Sequence, residues 1–321
     1  MNDPKFYLGG NLFGYSLNRD EALQLLDRAY VGGSFGIDTA GTYVAGNSEK
    51  IIGDWISTRG VINKIRIATK LETNFTDFGA GLNKYLEKQL SSSLFRLKSS
   101  SIDTVLLHHF IDDGKFVDIF LDFFKDNLIN GQIQNWGICN INTKQFEFVA
   151  KAMTNFNLRT ITIQNYCNWA KRKYDYWNSF FDIASSNGIQ LKVISYGVYG
   201  RGVLVSKHSE ETTLIKFGKP RDYLNSTVLK EKQLIPMQEI LLIIKDFIPT
   251  SNDSLARFAL SFIANQNSGA VVGIRTFEQL ASANAAYSEL FTESLILEAI
   301  QKVNSRLGRL NLSIGDTGLG V

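Results

Sequence analysis

The chain has 321 residues, 44% of them apolar and 20% charged, an ordinary globular composition with enough apolar material for a large core. Its 34 basic and 31 acidic side chains give a net charge of +3, too small a bias to indicate a nucleic-acid-binding protein when no basic face is clustered in the sequence. The two cysteines fall inside strand patterns, and the sequence shows neither a leader-like start nor eighteen consecutive apolar residues, so we expect a cytoplasmic protein without a membrane segment.

Strand and helix patterns alternate through the first part of the chain. Asn18 is predicted to cap the first helix, and Gly32 to end it. The predicted elements, in order, are a strand at 6–10, the helix from Asn18, a strand ending at Asp38, a helix at 47–55, a strand at 65–70, a helix at 80–98, a strand at 104–108 and an amphipathic helix at 114–131.

The alternation continues to the carboxyl end. The polar segment at 203–233 is predicted to be an inserted loop, because core-forming patterns resume beyond it. The remaining predicted strands are at 133–140, 160–167, 191–196 and 270–274, and the helices are near 146–153, 177–184, 251–263, 276–287 and 294–307.

Eight strands joined by short helical connections predict a parallel sheet, and eight is the number that closes a (β/α)8 TIM barrel. We therefore predict an α/β protein with a single domain over residues 1–321. Its barrel covers about 5–290, and an extension with an extra helix covers about 291–321. A doubly wound open sheet is the alternative, but the first strand–helix turn lacks the G-x-G-x-x-G phosphate pattern.

Ionisable side chains recur at the ends of the predicted strands. Asp38 and then Tyr43 follow the second strand, while Lys70 ends the third and His108 the fourth. Read singly, Asp38 could be a turn residue and Tyr43 a core aromatic. Because the carboxyl ends of parallel barrel strands face one mouth, the recurrence predicts that all four side chains meet there.

The ordered pattern Asp38-Thr-Ala-x-x-Tyr43-x-x-Gly46-x-Ser48-Glu49-x-x-Ile52-Gly53, followed by Lys70 and Leu106-Leu107-His108, resembles the aldo-keto reductase superfamily. The resemblance covers nearly the whole chain. It implies a nicotinamide-dependent carbonyl reductase in which Asp38, Tyr43, Lys70 and His108 are the catalytic residues.

The chemistry of hydride transfer asks for the same roles. A carbonyl that receives hydride develops negative charge on oxygen and needs a proton donor there. Tyr43 would give the proton, and the ammonium of Lys70 would lower the pKa of Tyr43. Asp38 would keep Lys70 charged, and His108 would orient the substrate oxygen. His109 is expected to point away, because side chains alternate along a strand.

The resemblance also implies cofactor contacts at the later strand ends. Asn140 and Gln164 are expected to bond the nicotinamide carboxamide, and Tyr196 to stack on its ring, although Tyr196 also reads as a buried strand tyrosine. Cys139 stands where the family usually has serine, so its contact would be weaker. The remaining expected cofactor residues are Gly197, Gly200, Arg201, Gly202, Gly273, Arg275, Gln279 and Asn284.

Arg275 would clamp a 2′-phosphate, which favours NADPH over NADH, although an arginine that bridges surface loops is the alternative. The family asparagine that meets adenine falls at Ala283, one position before Asn284. The 197–202 glycines also read as a simple turn. The 203–233 segment is either a basic lid or a solvated loop; its basic residues are Lys207, His208, Lys216, Lys219 and Arg221.

The functional expectation is an NADPH-dependent oxidoreductase that interconverts a small carbonyl compound and an alcohol. Candidate substrate-lining residues are Phe13, Tyr15, Trp55 and His109, and no metal ligands are predicted. One alternative is a cofactor-binding regulatory partner that resembles the β-subunits of potassium channels. Another is a cofactor-free barrel enzyme in which Lys70 forms a Schiff base, but a protonated Lys70 is a poor nucleophile. Substrate, direction and oligomeric state stay open.

Overall fold

The computed structural model describes residues 4, 6–31, 35–61, 64–73, 81–111, 113–205, 240–249 and 253–309. Within these residues, eight strands follow one another in chain order around a closed barrel, as predicted. The strands are β1 (Tyr7–Gly9), β2 (Gly36–Asp38), β3 (Arg66–Leu71), β4 (Ile102–Leu107), β5 (Ile133–Cys139), β6 (Thr160–Tyr166), β7 (Gln190–Tyr196) and β8 (Gly269–Val272).

Helices alternate with the strands. They are α1 (Arg19–Val31), α2 (Asn47–Arg59), α3 (Leu82–Leu97), α4 (Gly114–Ile129), α5 (Thr143–Met153), α6 (Asn178–Ser186), α7 (Ser254–Ala264), α8 (Phe277–Ser288) and α9 (Glu293–Arg309). The predicted carboxyl-terminal helix is therefore confirmed. Residues 240–247 are also helical, which the sequence pattern did not predict. None of the described helices is long and apolar enough to cross a membrane.

The loop predicted after β7 lies mostly outside the described residues, which omit 206–239. The five basic residues that led to the lid hypothesis all belong to that stretch, so the hypothesis stays a prediction. Those residues are Lys207, His208, Lys216, Lys219 and Arg221.

The start of α1 shows how local sequence sets an element boundary. Asn18 Oδ1 accepts a hydrogen bond from the Glu21 backbone N–H at 3.0 Å, and Glu21 Oε2 accepts one from the Asn18 N–H at 2.8 Å. This reciprocal pair is a capping box, which satisfies N–H groups that have no partner inside the helix. The predicted cap at Asn18 is confirmed.

Each strand from β1 to β5 pairs in parallel with the next one along the chain, and this register sets which strand ends are neighbours. Asp38 pairs with Ala68, Lys70 with Leu106, and Cys139 with Gln164. The middle of β4 is fully buried, because its residues face the barrel interior and the helix layer in turn. The register therefore places Asp38 and Lys70, and likewise Cys139 and Gln164, at or near the carboxyl ends of neighbouring strands.

The chain groups into two compact units. The first comprises Met1–Tyr166, Trp177–Ile194 and Gly273–Phe277, and the second Cys167–Tyr176, Ser195–Val272 and Glu278–Val321. The first unit contains β1 to β6 and α1 to α6, and the second contains α7, β8 and α9. The expectation of one domain over residues 1–321 stays a prediction.

Candidate active site

The predicted catalytic side chains come together in the first unit. Asp38 is the last residue of β2, Lys70 lies near the end of β3, and His108 directly follows β4. Tyr43 begins a 3-10 turn, Tyr43–Gly46, between β2 and α2. Successive parallel strands thus place these side chains at the carboxyl-terminal end of the barrel strands.

A buried ion pair forms the centre of the site. Lys70 Nζ donates to Asp38 Oδ1 at 2.6 Å and to the Thr39 carbonyl oxygen at 2.8 Å. Asp38 and Lys70 are each only 3% exposed. Burial alone would lower the pKa of Lys70, but the nearby Asp38 and Tyr43 raise it above its ordinary value. Lys70 is therefore a permanent ammonium, which disfavours the Schiff-base alternative.

Tyr43 shares the Lys70 ammonium. Lys70 Nζ donates to Tyr43 Oη at 3.3 Å. Burial raises the pKa of Tyr43 above 10.0, Lys70 opposes that rise, and Asp38 adds to it. Lys70 does lower the pKa of Tyr43, as expected. The expectation that the pKa of Tyr43 lies below its ordinary value is wrong, because burial raises it by more than Lys70 lowers it. Tyr43 consequently holds its proton at neutral pH.

The turn that carries Tyr43 has an unusual backbone. Val44, Ala45 and Gly46 are all left-handed, with φ of 51°, 53° and 86°. Such a conformation is disfavoured for residues other than glycine, and most of all for a β-branched one such as Val44. Local strain of this kind is often found at functional sites.

A second buried carboxylate supports the same turn. Glu49, with no exposed surface, accepts hydrogen bonds from Arg96 Nε at 2.6 Å and from Thr69 Oγ1 at 2.5 Å. Thr69 precedes Lys70, and the Arg96 side chain packs on Gly46. Glu49 belongs to the family pattern in the sequence, but no role was predicted for it. The signal in the sequence was that this acidic residue falls on the apolar face of an amphipathic helix, where a charge needs a partner.

His108 and His109 lie on the same side of the chain. Their rings stack, with centroids 5.0 Å apart and planes inclined by 14°. The expectation that His109 points away is wrong, because β4 ends at Leu107 and strand alternation does not extend to either histidine. The His108 ring also meets the Tyr43 ring edge to face, with centroids 5.9 Å apart.

The imidazole of His108 is neutral. Burial, followed by the charges of Lys70 and His109, lowers the pKa of His108 to about 3. The backbone carbonyl of His108 accepts a hydrogen bond from Asn140 Nδ2 at 3.0 Å. A neutral imidazole next to Tyr43 has one N–H donor to offer to a substrate.

Gln164 completes the buried network. Its Nε2 donates to Asp38 Oδ2 at 2.7 Å, and its Oε1 accepts from the Cys139 thiol at 3.5 Å. Burial raises the pKa of Cys139, so its thiol keeps the proton that this contact needs. Sequence reasoning did not foresee that Gln164 holds Asp38 in place, because the two residues lie 126 positions apart. The carboxamide contacts expected for Asn140, Cys139 and Gln164 stay predictions.

The other expected cofactor residues lie mostly in the second unit. Gly197, Gly200, Arg201 and Gly202 have φ of 70°, 52°, 58° and 93°, so the glycine-rich turn is left-handed as its composition suggests. The residues of that unit expected to contact the cofactor are Tyr196, Gly197, Gly200, Arg201, Gly202, Gln279 and Asn284. Gly273 and Arg275 belong to the first unit. All of these contacts stay predictions.

Two of the expected substrate residues are corrected. Phe13 and Trp55 have no exposed surface, and the Trp55 indole N–H donates to Asp27 of α1 at 2.8 Å. Trp55 thus packs between α1 and α2, and neither ring has a surface for a substrate to touch. Tyr15 is 56% exposed, and His109 is also exposed, so both stay predictions.

The arrangement of barrel, ion pair and tyrosine agrees with a family assignment. The model of the Aldo/keto reductase family matches residues 5–304, so this chain belongs to that family.

Two curated relatives illustrate the similarity. Aldo-keto reductase ausK of Emericella nidulans is 35% identical over 136 residues, covering 39% of this chain and 34% of that protein. Norsolorinic acid reductase B of Dothistroma septosporum is 23% identical over 293 residues, covering 88% and 71%. The chain thus matches about a third of the length of ausK.

Solved structures resemble the fold. An aldo/keto reductase from Klebsiella pneumoniae in complex with NADP and acetate superposes with a TM-score of 0.66 at 17% identity, over 93% of this chain and 91% of that one. The holo form of an aldo-keto reductase from Bacillus halodurans gives a TM-score of 0.68 at 20% identity, over 93% and 91%. At these identities the likeness shows the fold alone.

Proposed function

We propose that this protein is an NADPH-dependent oxidoreductase that interconverts the carbonyl of an aldehyde, ketone or sugar with an alcohol. The observation that carries the proposal is the Lys70 ammonium held between the Asp38 carboxylate and the Tyr43 hydroxyl, at 2.6 Å and 3.3 Å. Membership of the aldo/keto reductase family supports it, as does the NADP bound to the related Klebsiella pneumoniae enzyme.

The residues present fit a nicotinamide dinucleotide. An amide side chain offers two N–H donors and two acceptor lone pairs, and the Asp38 and Cys139 contacts of Gln164 use one of each. Gln164 can therefore still bond a carboxamide, together with Asn140. Arg275, two residues after the exposed Gly273, carries the guanidinium that suits a 2′-phosphate. When bound, the cofactor would supply the hydride.

Tyr43 would act as the general acid in reduction. Its raised pKa keeps the phenol protonated until negative charge develops on the carbonyl oxygen. Once the proton is transferred, the charge resides on Tyr43 Oη, 3.3 Å from the Lys70 ammonium. Unit charges at that distance attract by about 5 kcal/mol at an effective dielectric constant near 20. This attraction is strongest after proton transfer has begun, so it lowers the barrier rather than tightening ground-state binding.

Asp38 and His108 would have separate tasks. Asp38 fixes the Lys70 ammonium and offsets the cost of burying it. His108, whose ring is neutral, would donate its single N–H to the substrate oxygen and orient the carbonyl for hydride addition. In the direction of alcohol oxidation, the Tyr43 phenolate would accept the hydroxyl proton.

The proposal is tested by following NADPH absorbance with a panel of aldehydes, ketones and sugars. Tyr43→Phe removes only the acidic hydroxyl, and we expect kcat to fall by about 100-fold to 10,000-fold while NADPH still binds. Tyr30→Phe is the matched control, because Tyr30 packs on Trp55 away from Lys70; its kcat should stay close to wild type.

Equal kcat for Tyr43→Phe and wild type would show that Tyr43 is not the acid. Tight NADPH binding without turnover on any carbonyl would favour the regulatory-partner alternative.

A further inference from the structure

Three potential metal ligands cluster beside Tyr43. Glu72 directly follows β3, and His108 and His109 directly follow β4. One ligand atom from each of the three lies within 4.8 Å of the other two. All three residues belong to the first unit, on adjacent parallel strands. No metal ligands were predicted from the sequence, in which Glu72 lies 36 positions before His108.

His108 Nδ1 is an unpartnered buried nitrogen in this cluster: it has no hydrogen-bond partner among the described residues. Its nearest carboxylate oxygen, Glu72 Oε2, is 3.6 Å away, which is too long for a hydrogen bond. A buried polar atom left without a partner has lost its hydrogen bonds to water and gained none in the protein, which is unfavourable. A cation between the two groups would satisfy both.

We propose that Glu72, His108 and His109 form a binding site for a divalent transition-metal ion such as Zn²⁺. Two imidazole nitrogens and one carboxylate suit zinc, and three protein ligands leave a fourth position for water. Calcium and magnesium prefer oxygen ligands and would bind poorly here. Among divalent ions, imidazole ligands also suit Cu²⁺, Ni²⁺ and Fe²⁺.

The charge balance favours a cation. The Lys70 ammonium nearby is paired with Asp38 at 2.6 Å, and no lysine or arginine of the described residues forms an ion pair with the Glu72 carboxylate.

Binding requires small side-chain movements. Zinc bonds of about 2.0–2.2 Å place ligand atoms roughly 3.3 Å apart. The ligand atoms of the cluster are up to 4.8 Å apart, and His108 Nδ1 and Glu72 Oε2 are 3.6 Å apart, so the cluster must contract slightly. The lone pairs of two stacked imidazoles run parallel, so the His109 ring must turn toward His108. His109 is exposed, so its ring has room to turn; the rotation exchanges the stack on His108 and the 3.4 Å contact with Asn140 Nδ2 for a bond to the metal.

A bound ion would inhibit the reaction proposed above, on which this consequence rests. It would hold His108, whose ring lies 5.9 Å from the Tyr43 ring, and stop it from orienting a carbonyl. The site would therefore make the enzyme sensitive to free zinc, with metal and carbonyl substrate excluding each other.

The metal site is tested on the full-length, tag-free protein without reference to turnover. Zn²⁺ affinity is measured by competition with a chromophoric chelator, and Co²⁺ is used as a spectroscopic probe. We expect one Zn²⁺ per chain and visible Co²⁺ bands typical of nitrogen and oxygen ligands. Glu72→Gln and His109→Asn should each weaken Zn²⁺ binding by at least tenfold, with circular dichroism confirming that the variants are folded.

His208→Asn is the matched control, because His208 is the third and last histidine of the chain. Its Zn²⁺ affinity should equal that of wild type. The proposal would be overturned if Glu72→Gln and His109→Asn both kept wild-type Zn²⁺ affinity, or if His208→Asn lost Zn²⁺ binding. It would also be overturned if Zn²⁺ did not displace Co²⁺ from the protein.

The inhibitory consequence has its own assay. Zn²⁺ should inhibit wild-type carbonyl reduction competitively with the carbonyl, a chelator should restore it, and Glu72→Gln should need at least tenfold more Zn²⁺ for the same inhibition. Noncompetitive inhibition that Glu72→Gln does not relieve would overturn it. Failure of wild type to reduce any carbonyl would contradict the proposed function, while the Co²⁺ spectra alone would still decide the metal site.

Discussion

Lys70 carries a charge that the protein interior would not tolerate without its partners. It is 3% exposed, and its ammonium is satisfied by the Asp38 carboxylate, the Thr39 carbonyl and the Tyr43 hydroxyl. Removing one member of a buried pair leaves the other charge uncompensated, whereas removing both leaves a polar or apolar site without that penalty. The pair therefore keeps a fixed positive charge beside the phenol. The desolvation cost of burying that charge is offset only while both partners are present.

Asp38→Asn tests this coupling. The variant leaves Lys70 buried without a counter-charge, so the free energy of unfolding should fall by about 3–5 kcal/mol. Adding Lys70→Met removes the remaining charge, and the double variant should recover most of that loss while staying inactive. Urea denaturation of the four proteins in the cycle measures the coupling. Additive losses would mean that the two charges do not depend on each other.

The titration of Tyr43 tests the balance between burial and the Lys70 charge. Burial raises the pKa of Tyr43 above 10.0, so the phenolate should form only at higher pH. The ultraviolet difference between wild type and Tyr43→Phe isolates this one tyrosine among 12. Lys70→Met should move the midpoint still higher, because Lys70 lowers this pKa. A wild-type midpoint below pH 9, in protein that circular dichroism shows to be folded, would contradict the account.

The positions of side chains at strand ends could be predicted from the sequence, whereas those of residues beyond the strand ends could not. Asp38 and Lys70 were predicted to pair because both close parallel strands, and they do. His109 was misjudged because it lies two residues past the end of β4, where alternation no longer sets its direction. The net pKa of Tyr43 was misjudged because charge is visible in a sequence, while the extent of burial is not.

The turn between β2 and α2 depends on a helix that is distant in the chain. Arg96, on α3, bonds Glu49 on α2 and lies against Gly46, the last residue of the Tyr43–Gly46 turn. Glu49 also accepts from Thr69, next to Lys70. One buried carboxylate thus connects the turn that carries the acid with the strand that carries the ammonium.

Gly46→Ala should disturb this arrangement. Gly46 has φ of +86°, and a Cβ there would lie 2.8 Å from Arg96 Cδ. The left-handed backbone costs alanine about 1–2 kcal/mol, and the clash should add roughly 1–3 kcal/mol. Because the turn must shift, kcat should fall as well. Urea denaturation and steady-state kinetics measure the two effects.

Gly60→Ala is the matched control for the backbone cost. Gly60 ends α2 with φ of +63°, and among the described residues nothing lies within 4 Å of its Cβ position. This variant should lose only about 1–2 kcal/mol and keep wild-type kcat. Equal losses of stability and activity in the two variants would show that the Arg96 contact does not position the turn.

Element boundaries followed from local signals, but the contacts between elements did not. The capping box at Asn18 and the apolar spacing of α4 are readable in sequence because all their partners lie within a few residues. The Glu49–Arg96 pair joins positions 47 apart, and no spacing rule connects them. The helical stretch at 240–247 was missed because it follows a long polar segment without a cap signal.

At the scale of the whole molecule, the closed barrel explains why residues so far apart in sequence cooperate. Each parallel strand contributes its carboxyl end to the same side, so Asp38, Lys70, Cys139 and Gln164 meet without any long loop. The barrel was predictable because eight alternations of strand and helix leave few other topologies. Substrate choice was not predictable, because it depends on loops that differ between proteins with the same fold.

NADPH binding should stabilise the whole molecule. At 100 times its dissociation constant, a ligand that binds only the folded state adds about 2.7 kcal/mol to the free energy of unfolding. Thermal unfolding should therefore shift upward by several degrees with NADPH. Arg275→Ala should lose most of the NADPH shift and keep the smaller NADH shift, whereas Arg28→Ala, at an exposed site on α1, should keep both. An unchanged NADPH shift in Arg275→Ala would remove Arg275 from the cofactor site.

The most direct test of the proposed chemistry is to trace the hydrogen that reaches the carbonyl carbon. With NADPH that carries deuterium at both C4 positions, the product alcohol should gain one deuterium on its former carbonyl carbon, measured by mass spectrometry after exchange of the hydroxyl proton. Unlabelled NADPH in D2O should give a product without deuterium on that carbon. A product that takes its carbon-bound hydrogen from solvent, or that lacks the cofactor label, would contradict hydride transfer by this protein.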